Sequence, residues 1–288
     1  MIISRTPLRM SFVGGGSDLP SFYRQHGGAV LSTAVDKYVY VSVNKKFDGG
    51  IRLAYSKTEE VDHVEKIEHR LVRATLQMLG IQGGIEVTST ADIPSHGTGL
   101  GSSSAFTVGL INVLSAYLGR HVSAEHLGRL SCEIEIDRCG EPIGKQDQYA
   151  SAYGGLSLIE FNPDESVLVT PLVLQRKIRD AIESSILVFY TGIARSASGI
   201  LREQSSNVAD SAGKQKMLNR MVELVYELRN ELQGGHLDSM GEILDENWRL
   251  KKQLASGITS AAIDDWYAKA KANGALGGKL LGAGAGGF

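Results

Sequence analysis

The sequence predicts a two-domain α+β protein. Its first half is strand-rich, its second half is dominated by helical periodicity from Gly199 onward, and a strand, a glycine-serine run and an apolar helix follow one another between residues 85 and 117. At 288 residues the chain is long for one domain and comfortable for two. We place the division at 1–155 and 156–288, within the stretch Ala152–Phe161.

In chain order, Ile2–Val13 mixes apolar and polar residues like a strand and runs into Gly14-Gly15-Gly16. Gly28–Phe47 is β-rich, with clear alternation around Tyr38–Val43. Asp48-Gly49-Gly50 reads as a turn and Ile51–Tyr55 as the returning strand of a hairpin. His63–Leu79 reads as one helix, because Val64, Ile67, Leu71, Ala74 and Met78 fall three and four residues apart. Gly83-Gly84 breaks it, and Ile85–Thr90 is a strand. A helix is expected from Ala124 to Arg138 with Ser123 as its N-cap, and strands at Gly154–Phe161 and Ser185–Tyr190. Leu218, Met221, Val225, Leu228 and Leu232 form one helical stripe, and a further helix covers Leu237–Leu254.

A net charge of −2 leaves no basic excess to follow a nucleic-acid backbone, so a nucleic-acid partner is not expected. No apolar run is long enough to span a membrane, and the first ten residues lack a signal-peptide core, which predicts a cytoplasmic protein. Cys132 and Cys139 would lie about 10 Å apart along a helix, too far for a disulfide. The seven histidines show no metal-ligand spacing.

The segment Gly97–Ser104 carries the most chemistry. Glycines let backbone N–H groups approach an anion, and the following helix adds its positive end. Ser102, Ser103 and Ser104 can donate to phosphate oxygens or reach a metal ion. No lysine follows the glycines, so this is not a P-loop, and the third glycine of a dinucleotide fingerprint is missing. A flexible linker before a helix is the bland alternative; its place between a strand and an apolar helix favours a phosphate cradle.

Pro94 followed by Gly99-Leu100-Gly101-Ser102-Ser103-Ser104-Ala105 resembles the second motif of the GHMP kinases, which include galacto-, homoserine and mevalonate kinases. Thr6–Asp18 resembles their first motif and Lys279–Phe288, with Gly284, their glycine-rich third. The resemblance implies an N-terminal domain of the ribosomal S5 domain 2-like type and a ferredoxin-like C-terminal domain, with ATP and the acceptor meeting between them. It also implies further strands beyond the third motif, within which this sequence runs to Phe288. Pro94, Gly97, Gly99, Leu100, Gly101, Ser102, Ser103, Ser104 and Gly284 would then hold the nucleotide, and Ser103 with Glu135 would hold Mg²⁺, with Glu133 and Asp137 as the nearby alternatives. Asp147 would be the catalytic carboxylate and Arg9 the cation beside the reacting groups.

Gly15, Gly16, Ser17 and Asp18 would contact the acceptor. Galactokinases carry large polar residues where Gly15 and Gly16 stand, so a bulkier or phosphorylated ligand than galactose is expected. The start Thr6-Pro7-Leu8-Arg9, the Gly144-Lys145-Gln146-Asp147-Gln148 segment and Tyr190–Ala197 resemble the branch acting on D-glycero-D-manno-heptose 7-phosphate at its anomeric hydroxyl. Arg195 is the expected partner of the distal phosphate, with Arg138 and Lys145 next. Other reactions on the same scaffold are a fucokinase- or galactokinase-like activity, a phosphomevalonate kinase or a decarboxylase. A non-catalytic sugar and ATP sensor is the reading from another class. The joint presence of Ser103, Glu135 and Asp147 favours a kinase.

Overall fold

The computed structural model describes residues 1–94, 97–193 and 197–288. Among the described residues, seven strands form one mixed sheet, and helices cover both of its faces. The strands are β1 (Ile2–Val13), β2 (Gly28–Lys45), β3 (Ile51–Ala54), β4 (Thr58–Val61), β5 (Ile85–Ala91), β6 (Leu156–Phe161) and β7 (Val167–Pro171). The helices are α1 (Pro20–His26), α2 (Arg70–Leu79), α3 (Ser102–Tyr117), α4 (Ala124–Cys132), α5 (Gln146–Tyr153), α6 (Arg176–Ser185), α7 (Ala197–Asp210), α8 (Ala212–Gly234), α9 (Asp238–Lys251) and α10 (Ala261–Ala272). The α+β class is as the sequence predicts.

The long strand β2 organises the sheet. Its register pairs β1 along one edge, while β5 and β6 divide the other edge between residues 39–45 and 28–33. Both edges are thereby filled. Ile51–Ala54 consequently does not fold back on β2 as the hairpin reading expected. It pairs antiparallel with β4 and parallel with β5.

Strands β6 and β7 lie beyond residue 155 yet pair into this sheet, so the sheet crosses the expected division of the chain. After Pro171 the described residues form helices and no strand. The expected strand at Ser185–Tyr190 is instead the end of α6 and an unpaired stretch, with Leu187, Val188 and Phe189 exposed. Apolar residues alone do not make a strand when no sheet edge is within reach.

Two apolar cores flank the sheet. One joins Leu8, Val39, Val41 and Val43 to Leu76, Leu110 and Leu114 of α2 and α3. The other joins Phe12, Val13, Ala29 and Leu31 to Leu224, Val225, Leu228 and Ile243 of α8 and α9. The predicted stripe on α8 is buried throughout, as an amphipathic helix requires.

The predicted helix over 63–79 is split. The Glu59 carboxylate accepts from the backbone N–H groups of Glu68 at 2.6 Å and His69 at 3.1 Å, which gives those amides a partner outside any helix. A single 3₁₀ turn (Val64–Lys66) and then α2 result. Ser123 caps α4 by accepting from His126 N–H at 3.2 Å. Both cysteines are free and buried. Among the described residues, no helix is long and apolar enough to cross a membrane.

Candidate functional site

The glycine-serine loop lies against the last residues of the chain. Gly99 has φ +77°, open to glycine at little cost, and a Cβ there would stand 2.7 Å from the Leu281 carbonyl oxygen. Gly287 approaches Thr98 in the same way, and Phe288 N–H donates to the Thr98 carbonyl at 3.1 Å. Gly284, expected at the nucleotide, packs against Ile258, while Gly282 meets Gly99. Gly101 precedes the first turn of α3, whose free N–H groups and dipole face the loop. The Ser102 and Thr98 hydroxyls lie 3.2 Å apart. Pro94 is exposed at the loop's entrance, and Leu100 is buried with its carbonyl accepting from Arg9 N–H at 3.1 Å.

Arg9 fixes the loop from below. It is 2% exposed on β1, and its guanidinium makes three bonds. Nη1 donates to the Gly99 carbonyl at 2.5 Å; Nε and Nη2 donate to the two Asp147 oxygens at 2.8 and 2.6 Å. A two-pronged pair of this kind fixes the carboxylate's orientation as well as its charge. Asp147, in the first turn of α5, keeps a quarter of its side-chain surface open. The two predicted catalytic residues therefore meet under the loop, and a carboxylate held this way can accept a hydroxyl proton.

Glu135 reaches the loop through a change of helical register. After α4 the chain makes a π-helical turn over Glu133–Arg138, the kind of bulge that re-aims side chains. Glu135 points inward, fully buried, while Asp137 is exposed and Glu133 pairs with Arg138 at 2.7 Å. Ser103 donates to Glu135 Oε1 at 2.8 Å, and Ser104 and Gln148 donate to Oε2, each at 2.7 Å. Burial pushes the Glu135 carboxyl above its ordinary value, and these three donors oppose the rise. Ser104 is buried with its hydroxyl on Glu135, whereas Ser103 is exposed at the loop. The Ser103 hydroxyl and Glu135 carboxylate form a pair of hard oxygen donors, the set that suits Mg²⁺. No group of three His, Cys, Asp or Glu side chains among the described residues could enclose an ion. An ion at Ser103 and Glu135 would complete its shell with phosphate oxygens and water.

Asp18 ties the first glycine turn to the segment before α5. It accepts from Gly16 N–H at 2.9 Å, from Gln146 Nε2 at 3.0 Å and from Gln146 N–H at 3.3 Å. Burial raises its pKa, those two backbone donors lower it, and the Asp147 charge adds to the rise. Ser17, expected to touch the acceptor, is fully buried; its one O–H lies within reach of the Gly14 and Ala29 carbonyls at 2.8 and 2.9 Å, and its oxygen accepts from Ala29 N–H at 3.1 Å. It holds the turn. Arg195 lies outside the described residues. Arg138 is paired with Glu133, and Lys145 is paired with Glu165 and stacked on Tyr23.

Gly144 gives a sharp test of this wiring. A Cβ at Gly144 would fall 1.9 Å from Asp18 Oδ2 and 2.8 Å from the Asp18 carbonyl oxygen. Gly144→Ala is expected to displace Asp18 and raise the acceptor KM by about tenfold or more, since one buried hydrogen-bonded charge contributes about 1.5–3 kcal/mol. The KM for ATP should stay within about twofold, because the loop contacts are separate. Steady-state kinetics in each substrate check this, and equal rises in both constants would contradict it.

Sequence reasoning missed several polar side chains here. Gln146 and Gln148 lie in the Gly144–Gln148 segment, where only Asp147 had a role expected from sequence. Gln204, Asn247 and Lys251 come from α7 and α9 and carry no motif. Lys279 was quoted only as part of the third motif; its ammonium donates to the Ser11 carbonyl at 2.9 Å.

The family model for the GHMP kinases N terminal domain matches residues 64–155, and that for the GHMP kinases C terminal matches 223–288. A D-glycero-alpha-D-manno-heptose 7-phosphate kinase of Campylobacter jejuni is 29% identical over 100% of this chain and 88% of its own length. An L-fucokinase/L-fucose-1-P guanylyltransferase of Bacteroides fragilis is 27% identical over 100% of this chain but only 34% of its own length. The crystal structure of a D-glycero-D-manno-heptose 1-phosphate kinase from Bacteroides thetaiotaomicron superposes with a TM-score of 0.80 at 25% identity, covering 99% of this chain and 86% of that one. The family's N-terminal and C-terminal models match in order and together cover more than half of the chain, and the first includes the glycine-serine loop braced by the arginine-carboxylate pair. The chain belongs to the GHMP kinase family, as an ATP-dependent sugar kinase that phosphorylates an alcohol group.

Proposed function

We propose that the acceptor is D-glycero-D-manno-heptose 7-phosphate and that the phosphoryl group goes to its anomeric hydroxyl. The observation that carries this reading is the full-length similarity to the Campylobacter jejuni heptose 7-phosphate kinase. In this reading the loop amides and the start of α3 cradle the ATP phosphates. Ser103 and Glu135 would hold Mg²⁺, whose charge would offset that of the phosphates. Asp147 takes the proton of the attacking hydroxyl, and Arg9 holds that carboxylate in one orientation through its two-pronged pair. Asp18 receives a sugar hydroxyl beside the glycine turn. The geometry asks of the protein what phosphoryl transfer requires, namely positioning and charge stabilisation.

A second reading, an unphosphorylated sugar, is favoured by one observation. Arg138 and Lys145, the next candidates for the distal phosphate after Arg195, already have carboxylate partners. ADP release measured over heptose 7-phosphate, the free heptose, L-fucose and D-galactose separates the two. The expected result is a preference for heptose 7-phosphate over free heptose of about 10- to 100-fold in kcat/KM, the size of one charge-assisted phosphate contact. Arg195→Ala should erase most of that preference. Equal kcat/KM for the two heptoses would overturn the phosphosugar reading, and a preference that survives Arg195→Ala would move the phosphate contact to another residue.

A further inference from the structure

Each of the three glycines that end β1 meets a polar side chain from elsewhere in the chain. Gly14 N–H donates to Asn247 Oδ1 at 3.2 Å. A Cβ on Gly15 would lie 3.5 Å from Lys251 Nζ and within 3.8 Å of both Gln146 amide atoms. A Cβ on Gly16 would lie 2.3 Å from Gln204 Nε2. Asn247 and Lys251 are one turn apart on α9 and share a face, while Gln204 comes from α7.

These side chains are buried and underused. Gln204 and Asn247 are fully buried and Lys251 is 4% exposed. Both Gln204 amide atoms, Gln146 Oε1 and Asn247 Nδ2 have no hydrogen-bond partner among the described residues. Lys251 Nζ donates to the Gly282 carbonyl at 2.7 Å, one bond for a group with three donors. Buried polar groups without partners cost about 1–3 kcal/mol each, so several around one glycine turn mark a place where a ligand supplies the partners. The donors and acceptors are mixed, and a sugar ring presents the same mixture.

We propose that Lys251, Gln146 and Gln204 form the acceptor-sugar subsite above Gly15 and Gly16. Lys251 donates to a sugar oxygen at the reacting end, and the two glutamines exchange hydrogen bonds with ring hydroxyls. Glycine is required at 16, where φ is +108° and a Cβ would meet Gln204, and at 15 it leaves open the space beside Lys251 and Gln146. The proposal rests on the sugar-kinase reading of the site, not on which sugar heads the panel.

The groups facing Lys251 are Asp18 and Asp147, which favour its cation, and Arg9, which opposes it. Lys279 is itself held well below its ordinary value by burial and by the Lys251 and Arg9 charges. Burial lowers the Lys251 pKa to about 8. Its charged form is present below that pH and is lost as pH rises through it.

The test uses the full chain, with the panel sugar that gives the highest wild-type kcat/KM. Lys251→Met and Gln204→Leu keep size and remove polarity. Each is expected to lower kcat/KM for the sugar by at least about tenfold, the loss of one or two buried hydrogen bonds, with the ATP KM within about twofold. Gln204→Leu should leave the Tm equal or higher, because it removes an unpartnered buried amide. A purely structural glutamine would lower it. Wild-type kcat/KM should fall as pH rises past about 8, and Lys251→Met should lack that limb. Unchanged sugar kinetics in both variants, or losses that track a lowered Tm, would overturn the proposal. A different sugar heading the panel would refute the heptose reading and leave the Lys251 comparison intact.

Discussion

Asp147→Asn is expected to cut turnover by about 10²-fold or more, with the acceptor KM within a few-fold of wild type. The substitution keeps the size of the side chain but removes its charge and one of its two acceptors. Arg9 presents two N–H groups to the carboxylate, at 2.8 and 2.6 Å. The amide can accept only one of them, and its NH₂ would face the other. The proton of the attacking hydroxyl then has no base, and the residue's orientation loosens as well. Arg9 also holds the Gly99 carbonyl at 2.5 Å, so the loop keeps one anchor in the variant and ATP binding should persist. Steady-state kinetics with a circular-dichroism check of folding measure this. Near-normal turnover in a folded variant would remove Asp147 from the mechanism.

Glu135→Ala should be the other large loss, about 10²-fold in turnover at ordinary Mg²⁺ concentrations, because a phosphate-bound metal contributes several kcal/mol of charge stabilisation. Part of the activity should return as Mg²⁺ is raised. Nucleotide binding measured against Mg²⁺ concentration should show the same weakened metal dependence without any turnover. The alanine also strands the buried Ser104 and Gln148 donors, at about 1–3 kcal/mol each, so a lowered Tm accompanies it. Glu135→Gln separates the two effects, since it keeps a hydrogen-bonding group in place while losing the charge. Glu133→Ala and Asp137→Ala should leave the Mg²⁺ requirement unchanged, because both side chains face outward. The reverse pattern would place the metal ligand at another position of the turn.

The glycine-serine loop was legible because its backbone geometry is local. Gly97, Gly99 and Gly101 all have positive φ, and the serines that follow open α3 directly. Arg9 and Asp147 were legible only through their motifs; their contact spans 138 residues. The resemblance alone puts Glu135 ahead of Glu133 and Asp137; that it is the one facing inward is a result of the π turn, which changes the side of the helix each residue faces.

By itself the sequence determined the α+β class, the strand–loop–helix cradle and the capped, striped helices, all of which follow from short-range backbone preference and apolar spacing. The tertiary structure decided what those preferences leave open. Strand β3 turned to β5 because β2 had no free edge. The apolar 186–190 stretch stayed outside the sheet for want of a partner. Gln204, Asn247 and Lys251 meet Gly14–Gly16 only because α9 packs against β1 and α7 against α1, about 190 to 235 residues away in sequence. A lone buried lysine or glutamine has no periodicity or spacing to announce it; its partners are fixed by packing, and packing is a property of the whole chain.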